Sequence, residues 1–180
     1  MTRQAYLLTG GLAALIVGAT LAVDLPTALI WNASASAPIG LYAIRPTDTL
    51  AVSDLVVVTP PTALARFLDT RGYLPTGVPL VKRIAALPGQ QICRHGTSIT
   101  VDGTVVTTAR ARDQLGRPMP SWQGCRRVAA SDIFLLNRHP DSLDGRYFGP
   151  LPTHSIVGQA VPLLTDADGD GRYEWHAPCR

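Results

Sequence analysis

Apolar residues run unbroken by charge from Ala5 to Val23, whereas beyond Trp31 they come in short runs separated by Pro, Gly and Asp. The first stretch, AYLLTGGLAALIVGATLAV, forms a helix of about 28 Å, close to the thickness of a bilayer core. With Arg3 before it and Asp24 after it, it predicts a transmembrane signal anchor over residues 5–23. Residues 1–4 then stay in the cytoplasm and residues 24–180 are exported across the inner membrane to the periplasmic side. A cleaved signal peptide ending near Thr20-Leu21-Ala22 is the alternative, and the apolar run is longer than such a segment usually carries. The later runs predict strands over 41–44, 55–59, 78–87, 133–137 and 155–164. Asp102-Gly103 predicts a hairpin over 99–107, since that dipeptide suits a two-residue primed turn. Thr62 is expected to cap one short helix over 63–71, with Gly72 as its stop. Residues 110–124 read as a polar loop. The fold class is mainly β: a transmembrane helix followed by one antiparallel β domain with one short helix.

Composition narrows the partners. A chain with 46% apolar and 16% charged residues is no disordered tail. The net charge of +3 comes from scattered arginines, which argues against nucleic acid. Three cysteines agree with export to an oxidising compartment. Cys93 and Cys125 flank the hairpin and are expected to pair, leaving Cys179 odd. No CxxC or Cys/His cluster calls for a metal, and no motif calls for a cofactor.

Of the 16 basic side chains, 15 are Arg and one is Lys82. Composition accounts for the scarcity, so only the setting of Lys82 bears on chemistry. Strand alternation puts Lys82 on one face with Val78, Leu80 and Ile84. Desolvation there favours a neutral amine able to accept a proton. A carboxylate partner or a side chain reaching the sheet edge would account for the same lysine. A candidate nucleophile is Ser36, set among small residues in Asn32-Ala33-Ser34-Ala35-Ser36-Ala37-Pro38; a serine needs an adjacent base before it attacks. By itself that segment also reads as a linker after an anchor.

Three blocks in order resemble the bacterial signal peptidases, membrane-anchored proteases with a Ser/Lys dyad. They are Ser34-Ala35-Ser36, then Val81-Lys82-Arg83-Ile84-Ala85-Ala86-Leu87-Pro88-Gly89, then Asn137 to Gly149, reading NRHPDSLDGRYFG. The resemblance implies Ser36 as nucleophile and Lys82 as general base. It implies that the Ser34 hydroxyl and the Ser36 amide form the oxyanion hole, and that Ser142 orients the lysine. Asp144 and Arg146 match a pair that holds the site together, with Asp144 either catalytic or structural. Ala37-Pro38 after the serine and Leu135-Leu136 before Asn137 depart from the housekeeping leader peptidases, and the S-x-P-x-GLY pattern from Ser36 to Tyr42, the Cys93 and Cys125 pair and the SLDGRYFGP run from Ser142 look more like the TraF-type conjugative-transfer peptidases. That branch implies an exported, pilin-like precursor as substrate within a conjugative transfer apparatus, by hydrolysis or by cyclising transpeptidation.

Rival readings remain at this level. Residues 166–171 match the first half of a calcium loop, but the twelfth position is Ala177 and Glu174 falls at the ninth. His139 or His154 with Asp141 or Asp144 would make a Ser/His/Asp triad, although no G-x-S-x-G elbow occurs. Cys125 would serve a thiol transpeptidase. The alternatives are a non-enzymatic anchored β module of a transfer or secretion apparatus, from another class, and a housekeeping-type leader peptidase.

Overall fold

A computed structural model describes residues 3–22, 28–47 and 49–177 of the 180-residue chain. Helix α1 (Arg3–Ala22) covers the N-terminal apolar stretch, and its described leucines, such as Leu8 and Leu15, are exposed. Among the described residues no helix is long and apolar enough to cross a membrane. The anchor expected over residues 5–23 is therefore not established by the structure, and its last residue, Val23, lies outside the described residues.

The rest is antiparallel β. Strands β1 (Leu29–Asn32), β2 (Ile39–Arg45) and β3 (Leu55–Val58) precede helix α2 (Thr62–Thr70). Then follow β4 (Leu80–Ala86), β5 (Gln91–His95), β6 (Ser98–Val101), β7 (Thr104–Thr108), β8 (Gly124–Arg127) and β9 (Asp132–Leu136). A single turn of helix, α3 (Gly145–Phe148), leads to β10 (Leu151–Pro152), β11 (Ile156–Asp166) and β12 (Glu174–Trp175). The larger sheet has the order β1-β2-β11-β3-β4-β9-β10, with β12 on β11; the smaller has the order β7-β6-β5-β8.

Both faces of the larger sheet are covered, which is why β3 reads as the continuous apolar run LVVV. Val57 and Val81 join Ala37, Tyr42, Leu55 and Ala160 on one face; Val56, Val58 and Ile84 join Ile133 and Leu135 on the other. A third cluster, built on Ile92, Ile99, Phe134 and Leu136, fastens the smaller sheet to the larger.

The local signals hold where chain geometry is the cause. Asp102 (φ 47°) and Gly103 (φ 82°) both take positive φ, as a primed turn requires, between β6 and β7. Gly72 (φ 68°) ends α2, donating its amide to Asp69 O at 2.8 Å. The expected Thr62 cap is corrected. Pro61 occupies the cap position, no side chain caps the helix, and Thr62 is its first residue. The prolines after β3 preset the entry to the helix and leave Thr62 nothing to terminate.

Five pieces of β structure fall outside the sequence expectations: β1, β5, β8 and the short β10 and β12. In β5 a charged Arg94 interrupts the apolar pattern, and it is buried because its guanidinium donates to Gly96 O and Arg146 O. In β8 the residues Gly-Cys-Arg-Arg are all exposed, so no alternation marks a strand. It is held by pairing with β5, which sets Cys93 opposite Cys125. Those two cysteines form the expected disulfide. Cys179 lies outside the described residues.

Candidate active site

Lys82 lies in the middle of β4, paired with Val56 on β3 and on the same face as Leu80 and Ile84, as alternation requires. Only 3% of it is exposed. Its Nζ donates to the Ser142 hydroxyl at 2.9 Å, and no carboxylate is within ion-pair distance among the described residues. Burial lowers its pKa from 10.5 to about 8; the negative charge of Asp144 partly opposes this and the positive charge of Arg146 adds to it. The ammonium form is penalised because the surrounding valines and isoleucines replace none of its hydration.

Ser142 belongs to the segment between β9 and α3, which is organised around a buried ion pair. Asp144 Oδ1 accepts from Arg146 Nε at 2.8 Å, and neither side chain has any exposure. Asp144 also caps α3 by accepting from the Arg146 amide, and its Oδ2 accepts from the Asn137 amide at 3.0 Å. Arg146 spends its remaining donors on Asn137 O and Pro140 O. With this many hydrogen bonds the two desolvated charges are compensated, and removing either would strand the other. Gly145 permits the arrangement. A Cβ there would sit 2.5 Å from Phe134 Cε2 and 2.8 Å from Leu135 O, so a side chain would push α3 off β9.

Ser36 sits in the turn joining β1 to β2. The Asn32 amide nitrogen donates to Ser34 O, Ala37 O and Pro38 O at 2.9–3.0 Å, and the Asn32 oxygen accepts from the Ser34 amide. The Tyr42 hydroxyl adds a bond to Pro38 O at 2.7 Å. A linker would carry no such fastening, so the turn is a built element. Asn137 ties it to the lysine strand: its Nδ2 reaches Ser36 Oγ at 3.4 Å and Val81 O at 3.0 Å, and its Oδ1 accepts from the Arg83 amide at 2.9 Å.

Ser36 and Lys82 line one cleft of about 470 Å³, together with Ser34, Ser142 and apolar residues such as Ile30, Leu74 and Leu80. No hydrogen bond joins Ser36 Oγ to Lys82 Nζ. Ser36 Oγ instead lies 2.9 Å from Ser34 Oγ, and the Ser36 amide donates to Ser34 Oγ at 3.2 Å. The two groups expected to face an oxyanion are thus satisfied by each other, and an entering carbonyl has to compete for the amide. Ser36 also opens on its other side to a second, more polar cleft containing Arg83, Asn137 and Arg138.

The rival chemistries find less support in the geometry. His139 Nδ1 accepts from the Asp141 amide, and no histidine bonds to Ser36 or Asp144 among the described residues. Cys125 is consumed in its disulfide and cannot act as a thiolate while it persists. His95 places a ring nitrogen near both sulfurs, within the 4.8 Å span of a potential metal cluster, but the sulfurs are bonded to each other. Asp166 is buried and its two oxygens accept from the Asp170 and Gly171 amides, while residues 168–171 form an exposed turn.

Asn32 and Asn137 are side chains bonded to the Ser36 turn that the sequence did not single out. Asn137 opens the third block, and its buried side chain facing the serine turn is the signal that pattern alone lacks.

The sequence is matched by one family and by curated relatives. The family described as "Signal peptidase, peptidase S26" matches residues 3–164. A probable conjugal transfer protein TraF of Sinorhizobium fredii (strain NBRC 101917 / NGR234) is 39% identical, over 76% of this chain and 77% of its own length. The conjugal transfer protein TraF of Agrobacterium fabrum is 33% identical, over 92% of this chain and 98% of its own. A crystal structure of a signal peptidase I from Enterococcus faecalis aligns over 62% of this chain and 97% of its own, with 17% identity and a TM-score of 0.37.

Proposed function

Since the chain belongs to the signal peptidase family, peptidase S26, we propose that it is a serine endopeptidase with a Ser36/Lys82 dyad that processes exported precursor proteins. The observation that carries this reading is a buried lysine, lowered to about 8, in the same cleft as an accessible serine. A neutral amine there takes the Ser36 proton as Oγ attacks the scissile carbonyl. The Ser36 amide, released from Ser34 Oγ, and the Ser34 hydroxyl donate to the oxyanion. The lysine ammonium then returns its proton to the leaving amine, and water, or an amine of the precursor itself, resolves the acyl-enzyme.

In this reading Ser142 holds Nζ in the cleft, and the Asp144 and Arg146 pair holds Ser142. Closing the gap between Ser36 and Lys82 needs a rotation of the serine side chain away from Ser34, which an incoming carbonyl competing for the Ser36 amide would favour. Relatives named for conjugal transfer support a pilin-like precursor of a conjugative apparatus as substrate, with cyclisation as a second outcome of the same acyl-enzyme. The charge-free stretch inside α1 and the oxidised cysteines support an inner-membrane anchor with the peptidase domain on the periplasmic side.

The test is co-expression of the full chain with a candidate precursor, followed by mass spectrometry of the product. Linear and cyclic products differ by one water. Ser36→Ala and Lys82→Arg are expected to keep the wild-type circular dichroism and to lose processing. In vitro, kcat/KM is expected to rise with pH and level off above about 8, as the amine loses its proton. Processing by the arginine variant would refute the dyad, because a guanidinium stays protonated.

A further inference from the structure

We infer that a cavity adjoining the Ser36 cleft, walled by the end of α2 and by the loop before β8, binds a carboxylate of the polypeptide being processed through Arg71 and Arg112. The cavity measures about 410 Å³, and its wall carries Arg71, Arg110, Arg112 and Arg117 against Asp113 and Asp141. Two of those arginines are neutralised. Arg117 Nε donates to Asp113 at 2.6 Å, and Arg110 pairs with Asp141 at 3.0 Å. Asp113 is fully engaged, since it also accepts from the Leu115 and Arg117 amides and from the Tyr73 hydroxyl.

Arg71 and Arg112 donate only to neutral carbonyls, Pro118 O at 3.0 Å and Gly116 O at 2.6 Å, and neither has an ion pair among the described residues. Each guanidinium carries five donors in a planar fork that matches a carboxylate. The cavity therefore holds two positive charges in excess, with most of their donors uncommitted. It is also built in advance: Arg71 lies over the Phe67 ring and Arg117 over the Tyr73 ring, each at 5.0 Å.

Position selects the ligand. Tyr73, Asp141 and Leu143 line both this cavity and the cleft of Ser36 and Lys82. A chain lying in the cleft and passing Tyr73 and Leu143 reaches the arginines directly. The shared chemistry is a carboxylate, from an Asp or Glu side chain or from a chain terminus. This inference rests on the proposed function only in taking the cleft as a polypeptide site.

The experiment uses the full-length Ser36→Ala variant in detergent, so that binding is read without cleavage. Fluorescent Ala-rich dodecapeptides carry Glu or Gln at each position in turn, with free or amidated C-termini. One register, or the free terminus, is expected to bind about tenfold more tightly than its Gln or amide counterpart, the size of one charge-assisted hydrogen bond. Arg71→Gln with Arg112→Gln is expected to abolish that difference and leave the Gln peptide unchanged. Arg112→Gln alone, at an exposed side chain, gives the same direction should the double variant fail to fold. Equal binding of Glu and Gln peptides in every register, or discrimination that survives both variants, overturns the inference. So does a loss in the variants seen only with anionic phospholipid, which would assign the arginines to a lipid phosphate. Failure of the dyad reading is separate: Ser36 would then be dispensable for processing while Glu-dependent binding persisted.

Discussion

Replacing Lys82 by Met is expected to abolish activity and yet make the folded chain more stable at neutral pH. The buried amine has its pKa lowered from 10.5 to about 8. At about 1.4 kcal/mol per tenfold change in proton affinity, the charged lysine costs the fold about 3 kcal/mol near pH 7. Methionine is of similar length and carries no charge to desolvate. It leaves the Ser142 hydroxyl without the partner it has at 2.9 Å, a loss of about 1–2 kcal/mol. The net gain is roughly 1–2 kcal/mol, and Ser142→Ala added to Lys82→Met should recover most of the full amount.

The pH dependence has a definite sign. Between about 8 and 10.5 the unfolded chain binds the lysine proton and the folded chain does not, so wild-type stability rises through that window. Below it both states are protonated and the whole penalty is present; above it both are neutral and the penalty is gone. The advantage of the Met variant should therefore be constant below pH 8 and shrink to nothing or reverse by about pH 10.5. Urea unfolding of the two full-length proteins, followed by tryptophan fluorescence across that range, measures the difference directly. A Met variant less stable than wild type at pH 7, or an advantage that does not fall with rising pH, refutes the argument that desolvation sets the lysine's proton affinity.

Two further outcomes follow from the same geometry. Asp144→Asn removes the carboxylate from a pair with no side-chain exposure, and is expected to cost about 3–5 kcal/mol in urea unfolding because Arg146 is left charged and unpaired. In the fraction that stays folded the lysine loses the charge that raises its pKa, so the midpoint of the pH-rate profile should move below about 8. Reducing the disulfide, whose cysteines are 32 residues apart, should remove roughly 2–5 kcal/mol of stability. Processing at low temperature should persist under dithiothreitol; its disappearance with retained folding would point back to sulfur chemistry.

Much of the candidate site is legible in the chain because its constraints are local. Alternation assigns Lys82 to the face of Leu80 and Ile84 whatever lies opposite, since the pleat repeats every two residues. Asp144 and Arg146 are separated by one residue, so their pairing needs only the start of α3, which Asp144 caps, and Asp102-Gly103 fixes its own turn through positive φ. Elements without a local signature are not legible. β8 is a strand only because β5 lies beside it, and Arg94 is buried in β5 because Gly96 O and, from 52 residues away, Arg146 O accept hydrogen bonds from its guanidinium.

The sequence by itself determines the family, the order of the three blocks and which side chains are available to act. What the tertiary structure alone decides is their state. The proton affinity of Lys82 is lowered because Val56 across the sheet and the segment carrying Ser142 exclude water from it. Ser36 is held in reach by Asn32 at the start of its own turn and by Asn137, 101 residues further along the chain. Desolvation depends on everything that packs around an atom, and no periodicity within one strand can report what the neighbouring strands bring to it.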